Sequence, residues 1–182
     1  EEYGGIGMEF NVFARVIEGI ATASASAALI LIAQADGLLP ILHHGSQAQR
    51  EKFLPQLVEG KVSAIAITEP GAGSDAAAIK TRAIKDGSNW IITGNKIYIT
   101  NGPIADVLTV LAVTDPSLGV RGGVTAFIVE KDMPGVSVGS IEHKMGIRGS
   151  ATSEMVFDEV VVPSANVLGQ VGAGFVTFMA TL

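Results

Sequence analysis

The sequence predicts an α+β chain: a portion of an N-terminal helical bundle, then an antiparallel β-barrel or sandwich, then the start of a C-terminal helical domain. Three observations predict it. Residues 1–60 hold apolar runs stopped by glycine and opened by serine, the punctuation of helices. The texture changes at Gly60-Lys61. From there, residues 61–165 hold short apolar segments at close spacing with turn residues between them, as in all-β domains. After Gly169, Gly172-Ala173-Gly174-Phe175 opens a new helix within residues 166–182.

In the first region, Phe10 to Asp36 reads as one long apolar helix that Gly37 terminates. Leu38 to His44 is a short helix stopped at Gly45. Ser46-Gln47-Ala48-Gln49 has the form of a capping box, and opens an amphipathic run through Phe53, Leu54, Leu57 and Val58. Pro55 lies inside that run, where a kink is expected. Gly19 to Ala35 carries no charged residue. It is shorter than the roughly 20 apolar residues that span a bilayer. It also contains Thr22, Ser24, Ser26 and Gln34, so a buried bundle helix is the better reading, with a small face (Ala21, Ala23, Ala25, Ser26, Ala28) for close contact.

In the second region, Val62 to Thr68 reads as a buried strand. Thr81–Lys85 and Trp90–Thr93 flank Asp86-Gly87, a tight hairpin signal. Gly94-Asn95 interrupts the second of these strands before Lys96–Thr100. Strands over 107–114, 124–130 and 135–141 follow. In the segment from Ser153 to Val162 the apolar positions Met155, Phe157, Val160 and Val162 alternate imperfectly, and Pro163 ends it. The chain closes on Met179-Ala180-Thr181-Leu182, inside an expected helix. With no Met at its start, it reads as a fragment of a longer protein.

Composition narrows the function. Hydrophobic residues are 48% and charged residues 16% of the 182, with a mean hydropathy of +0.43. That is apolar for a free-standing domain and points to buried domain or subunit interfaces. A net charge of -6 argues against a nucleic-acid partner. The absence of cysteine excludes disulfides, thiolate metal sites and cysteine nucleophiles. His43, His44 and His143 form no metal-ligand spacing, so no metal is expected.

The chemistry-bearing stretch is Thr68-Glu69-Pro70-Gly71-Ala72-Gly73-Ser74-Asp75, a glycine-rich turn leaving a strand. Gly71 and Gly73 can take positive φ and clear an approach path; successive backbone N–H groups there can form an anion nest, and Ser74 adds a hydroxyl. The turn is neither a phosphate-binding Gly-Lys-Ser/Thr loop nor a dinucleotide fingerprint, because Ala76 stands where the last glycine would be. The second cluster is Ile97-Tyr98-Ile99-Thr100-Asn101-Gly102. Tyr98 can lie against a flat ring, with Ile99 turned away and Thr100 presenting a hydroxyl to the ring edge. On the residues alone, a plain loop and an ordinary β-core remain open as well. Glu69 reads as a structural acid of the turn, Asp75 as a cap after Ser74, and Glu142 and Glu154 have no motif around them.

Taken jointly, these motifs resemble the acyl-CoA dehydrogenase family. The likeness runs over nearly the whole chain: Glu1-Glu2-Tyr3-Gly4-Gly5-Ile6-Gly7, His44-Gly45-Ser46 through Phe53-Leu54-Pro55, the two clusters just described, Lys144-Met145-Gly146-Ile147-Arg148-Gly149-Ser150, and Val156-Phe157-Asp158-Glu159-Val160 with Val162-Pro163. The resemblance implies FAD. Ile65, Ala66, Ile67, Thr68, Gly71, Gly73 and Ser74 would run along the flavin and its pyrophosphate. Thr68 would bond the pyrimidine end, and Tyr98, Ile99 and Thr100 would back the ring, with Thr100 near N5. Tyr98 replaces the commoner tryptophan and stays aromatic. Ser74, Val120 and Arg121 would contact the CoA thioester; a solvated Arg121 is the alternative.

The implied reaction is α,β-desaturation of an acyl-CoA, with a carboxylate removing the α-proton as hydride leaves the β-carbon. The family's glutamate would lie beyond Leu182, so no catalytic base is assigned within the chain. The resemblance further implies an electron-transferring flavoprotein as acceptor, a homotetramer, and bacterial cytoplasm or mitochondrial matrix. Asn101-Gly102-Pro103 and the 125–131 block are similar to short- and branched-chain members, the isovaleryl type among them. An acyl-CoA or nitroalkane oxidase, and a non-enzymatic acyl-CoA or lipid-binding module of the same fold, are the competing readings.

Overall fold

The computed structural model describes residues 2–180. Three helices lead: α1 (Phe10–Ala23), α2 (Ala25–His44) and α3 (Gln47–Val58). The single helix expected over 10–36 is broken at Ser24, which is extended at φ -156°, ψ 105°. Its hydroxyl accepts the Ala27 N–H at 3.2 Å and caps α2, a use of serine that competes with helix continuation. Gly37 does not terminate the helix; α2 passes through it and through Pro40 to His44. A Cβ at Gly37 would lie 2.7 Å from the Ser63 Cβ and the Ala64 nitrogen, so the glycine lets α2 lie against the first strand. The Ser46 capping box forms as expected, with Gln49 reaching back to the Ser46 N–H at 2.8 Å. By composition α2 is long and apolar enough to cross a membrane. Here it is docked on the sheet: Gln34 donates to the Lys61 carbonyl and accepts the Ser63 N–H, and Asn101 donates to the Ile30 carbonyl.

The strands are β1 (Ser63–Ala66), β2 (Arg82–Asp86), β3 (Asn89–Thr100), β4 (Val107–Val113), β5 (Val124–Glu130), β6 (Val136–Ile141), β7 (Thr152–Pro163) and β8 (Val167–Leu168). A short helix α4 (Gly119–Gly123) joins β4 to β5. The order is β6-β7-β3-β2-β4-β5-β8, with β1 also on β4. The sheet folds over itself like a sandwich and does not close into a barrel. It is not wholly antiparallel: β1 and β2 both run parallel to β4. β1 returns to β4 only after the β2–β3 hairpin, and such a crossover brings strands together in the same direction.

β4 and β5 are the middle layer, buried on both faces, which is why they read as continuous apolar runs. Leu108, Val110, Phe127 and Val129 face the β3–β7 layer, where Trp90 meets Phe127 edge-on at 5.6 Å. Leu111, Ala126 and Ile128 face Ile41, Phe53 and Leu54 of the helices and Phe178 of α5 (Gly174–Met179). The helix expected to run through Leu182 is described only to Met179; Thr181 and Leu182 lie outside the described residues.

Two β-bulges explain the imperfect alternations. Ile92 pairs with Val160 and Gly94 with Phe157, so β7 carries an extra residue at Asp158-Glu159, where Glu159 has φ +51°. The inward set therefore shifts from Met155 and Phe157 to Val160 and Val162. Gly94 bends β3 at φ +155° without interrupting it. A second shift lies between Lys96 and Ile99, at the place where the site is built.

Candidate functional site

Lys96 and Ile99 both point into the core, so Ile97 and Tyr98 between them share the outer side. Tyr98 takes up the bulge at φ +57° and stands 61% exposed. A bulge of this kind re-aims one side chain out of the sheet. Tyr98 thereby covers one side of a cleft of about 150 Å³ between α2 and the strand ends. Leu29, Ile32, Ala33 and Asp36 of α2 form one wall. Ile65, Ile67 and Thr68 leave β1 along the floor, and Ile99 and Thr100 close the other side. Thr68 and Thr100, thirty-two positions apart, thus share one trough. Neither hydroxyl has a hydrogen-bond partner among the described residues. Ala66 alternates away from the cleft and is fully buried in the sandwich core.

A buried ion pair holds the two strand ends together. The Lys96 ammonium, with no exposure, donates to the Glu69 carboxylate at 2.8 Å and to the Ile67 carbonyl at 2.9 Å. The carboxylate also accepts the Lys80 N–H at 2.6 Å and the Thr81 N–H at 3.0 Å. The Ile97 N–H reaches the Thr68 carbonyl at 2.8 Å. Residues before, at and after Thr68 are therefore fastened to the residues preceding Tyr98. Burial pushes the Glu69 carboxyl up, but the Lys96 charge and these hydrogen bonds outweigh it and hold the group below the ordinary glutamate range. Burial pushes the Lys96 ammonium down to about 8, against the opposing pull of Glu69.

Beyond this clamp the turn closes on itself, Glu69 and Ala72 exchanging backbone hydrogen bonds at 3.1 and 3.0 Å. Gly71 and Gly73 do not take the positive φ expected of them. A Cβ on either would meet nothing within 4 Å, so the path over the turn is open whatever their dihedrals. Ser74 is exposed on the same turn, its hydroxyl unpartnered among the described residues. Asp75 does not cap with its side chain; its carbonyl accepts the Ala78 N–H instead. Val120 and Arg121 sit on α4, outside the cleft wall, with Val120 packed on the helical core and Arg121 exposed. Glu154 accepts from Asn95 at 2.8 Å on the sheet surface.

Two residues of this region carry more than the sequence reading gave them. Lys96 is a lysine at an inward strand position between Ile92 and Ile99, a phase that signals a buried charge needing a partner. Asp36 is the one Asp, Glu, Lys or Arg of α2 and ends the uncharged run from Gly19.

The comparisons with known proteins agree with this architecture. The family model for the acyl-CoA dehydrogenase middle domain matches residues 64–160, and that for the N-terminal domain matches residues 1–61. A cyclohex-1-ene-1-carbonyl-CoA dehydrogenase from Syntrophus aciditrophicus is 50% identical over 183 residues, covering 100% of this chain and 44% of the relative. A chain from a structure of the electron transferring flavoprotein of Acidaminococcus fermentans superposes with a TM-score of 0.96 at 41% identity, covering 99% of this chain and 48% of that one. An acyl-CoA dehydrogenase complexed with FAD from Bacillus anthracis superposes with a TM-score of 0.91 at 39% identity, covering 99% and 31%. The chain belongs to the acyl-CoA dehydrogenase family. It spans under half the length of these proteins.

Proposed function

We propose that the protein containing this chain is an FAD-dependent acyl-CoA dehydrogenase, and that the chain supplies the flavin trough and one wall of the acyl site. The observation that carries the reading is the convergence of Thr68, Tyr98 and Thr100 on one cleft. The residues fit the group. An exposed aromatic ring suits the flat face of an isoalloxazine, and two unpartnered hydroxyls suit its polar edges. Thr68 would bond the pyrimidine end and Thr100 would lie near N5, while Ile65 and Ile67 exclude water from the ring. The open turn at Gly71, Gly73 and Ser74 would take the pyrophosphate. Ser74, with Val120 and Arg121 farther along the same domain, would meet the CoA arm.

The flavin held by these residues would supply an acceptor for the hydride leaving the β-carbon of the acyl group. The chain's own contribution is orientation: apolar walls hold the acyl carbons against the ring and raise the effect of each dipole around them. The name of the Syntrophus relative favours a compact alicyclic or branched acyl group over a long linear chain. The superposition on a chain from an electron transferring flavoprotein structure supports such a flavoprotein as electron acceptor. The apolar, unburied face of α1 fits further subunit or domain contacts, as in a homotetramer.

The test is purification of the full-length protein. Wild type is expected to carry a visible flavin band that bleaches anaerobically on adding an alicyclic acyl-CoA. A Thr68→Val/Thr100→Val protein should lose flavin on dilution at least tenfold more readily. A colourless wild type would overturn the proposal. Bleaching followed by peroxide release in air at the turnover rate would assign an oxidase instead.

A further inference from the structure

Thr68 and Thr100 face one trough, yet the strands that deliver them are not neighbours in the sheet. β1 pairs with β4, and β3 lies between β7 and β2. No ladder therefore fixes the distance of Ile67 and Thr68 from Tyr98 and Thr100. The bulge at Tyr98 loosens this place further, because it interrupts the pairing of β3 with β7. What spans the gap is a few single hydrogen bonds. Asn101 reaches the Ser63 carbonyl at 3.4 Å at the far end, and the Ile97 N–H reaches the Thr68 carbonyl at 2.8 Å. Among the described residues, the other bonds across the gap come from one atom. The Lys96 ammonium holds the Ile67 carbonyl on one side of Thr68 and the Glu69 carboxylate on the other. Glu69 is itself tied to the Lys80 and Thr81 N–H groups. A buried ion pair is a poor source of net stability, since apolar residues of similar volume often do as well. It does specify one arrangement, because only one spacing satisfies both charges.

We propose that Lys96 is a positioning residue for the flavin: its bonds to Glu69 and Ile67 set the spacing of Thr68 from Tyr98 and Thr100. The inference rests on the flavin-enzyme reading above and adds a residue that lies behind the trough wall. Lys96 has no exposed surface and does not line the cleft, so it reaches the ring only through the residues it anchors. Thr68 would place its hydroxyl at the pyrimidine end, where reduction of a flavin adds negative charge. A hydrogen bond to a charged acceptor is roughly twice as strong as one to a neutral acceptor. A displaced Thr68 therefore weakens the hold on the reduced ring more than on the oxidised ring. The clamp favours the reduced flavin, and its loss lowers the reduction potential.

The experiment uses full-length holoenzyme as wild type, Lys96→Met and Glu69→Gln/Lys96→Met. The double variant is decisive, because it removes the clamp without stranding a buried carboxylate. Its thermal stability should sit nearer wild type than that of Lys96→Met. Its flavin should nonetheless dissociate at least tenfold more readily. The two-electron potential, read by dye equilibration, should fall by about 30 mV for each tenfold difference between the reduced and oxidised forms. In a Thr68→Val background the same two changes should barely move the potential, because the hydroxyl they position is gone. In the double variant the Ile97 amide, which bonds the Thr68 carbonyl, should exchange with solvent at least tenfold faster, while β4 amides keep their rates. A colourless wild type would overturn the flavin reading and this proposal together. A yellow wild type with a double variant of unchanged potential would overturn this proposal alone. So would a potential that recovers in step with stability, or a shift that persists undiminished in Thr68→Val.

Discussion

Replacing Lys96 by methionine isolates the ion pair beneath the trough. At 2.8 Å and an effective dielectric constant near 20, the Lys96–Glu69 attraction is worth ~6 kcal/mol. Much of that only offsets the cost of taking both charges out of water. Methionine keeps the length and apolar bulk of the stem, so little packing is lost. Glu69 is then left charged and 6% exposed, with only the Lys80 and Thr81 N–H groups as donors, and the Ile67 carbonyl loses its partner. Breaking one member of a buried pair costs about 3–5 kcal/mol, and the two remaining donors favour the lower end. At about 2–4 °C per kcal/mol for a chain of this size, the melting temperature should fall by roughly 6–12 °C. Adding Glu69→Gln to Lys96→Met removes the stranded charge and should recover at least half of the loss. Thermal and urea unfolding of the two single variants and the double variant measure the coupling. A Lys96→Met protein within 0.5 kcal/mol of wild type, the range of a surface substitution, would refute the reasoning.

The same pair sets the acid limit. Because the folded Glu69 carboxyl lies below its unfolded value of 4.5, its stabilisation is fully present above that pH and is lost as pH falls through the folded value. Urea unfolding across the acid range should show this arm in wild type and a flatter one in Glu69→Gln. Gly37→Ala should destabilise by about 1–3 kcal/mol, the cost of overpacking, since backbone and Cβ atoms of Ala64 and Ser63 stand 2.7 Å from the new methyl. A neutral result in denaturant unfolding would mean that α2 and β1 are not in this close contact. Ser24→Ala should cost about 1 kcal/mol by removing the α2 cap, while Ser24→Gly should cost a few tenths.

Much of the fold was legible because local rules decide it. The Ser46–Gln49 capping box, the Asp86-Gly87 hairpin and the Pro163 strand end each depend on a few adjacent residues. The same holds for β4 and β5, whose continuous apolar runs announce burial on both faces. The reading failed where a distant partner sets the outcome. Gly37 looks like a helix stop in one dimension; its reason lies across the α2–β1 contact, so the helix continues. The bulges at Asp158-Glu159 and Tyr98 follow from register against a neighbouring strand, which no short window contains. Gly71 and Gly73 show the converse, a turn whose openness was anticipated and whose dihedrals were not.

By itself, the sequence determined which residues carry hydroxyls, charge and ring at the strand ends, and the ordered motifs that mark the family. Tertiary structure alone decided that Thr68 and Thr100 face one trough, that Lys96 pays for its burial with Glu69, and that Asp36 of α2 lines the facing wall. Pairings of this kind depend on distances between segments tens of residues apart. Those distances are set by how α2 seats on β1 and how the sheet folds over, and no local propensity encodes them.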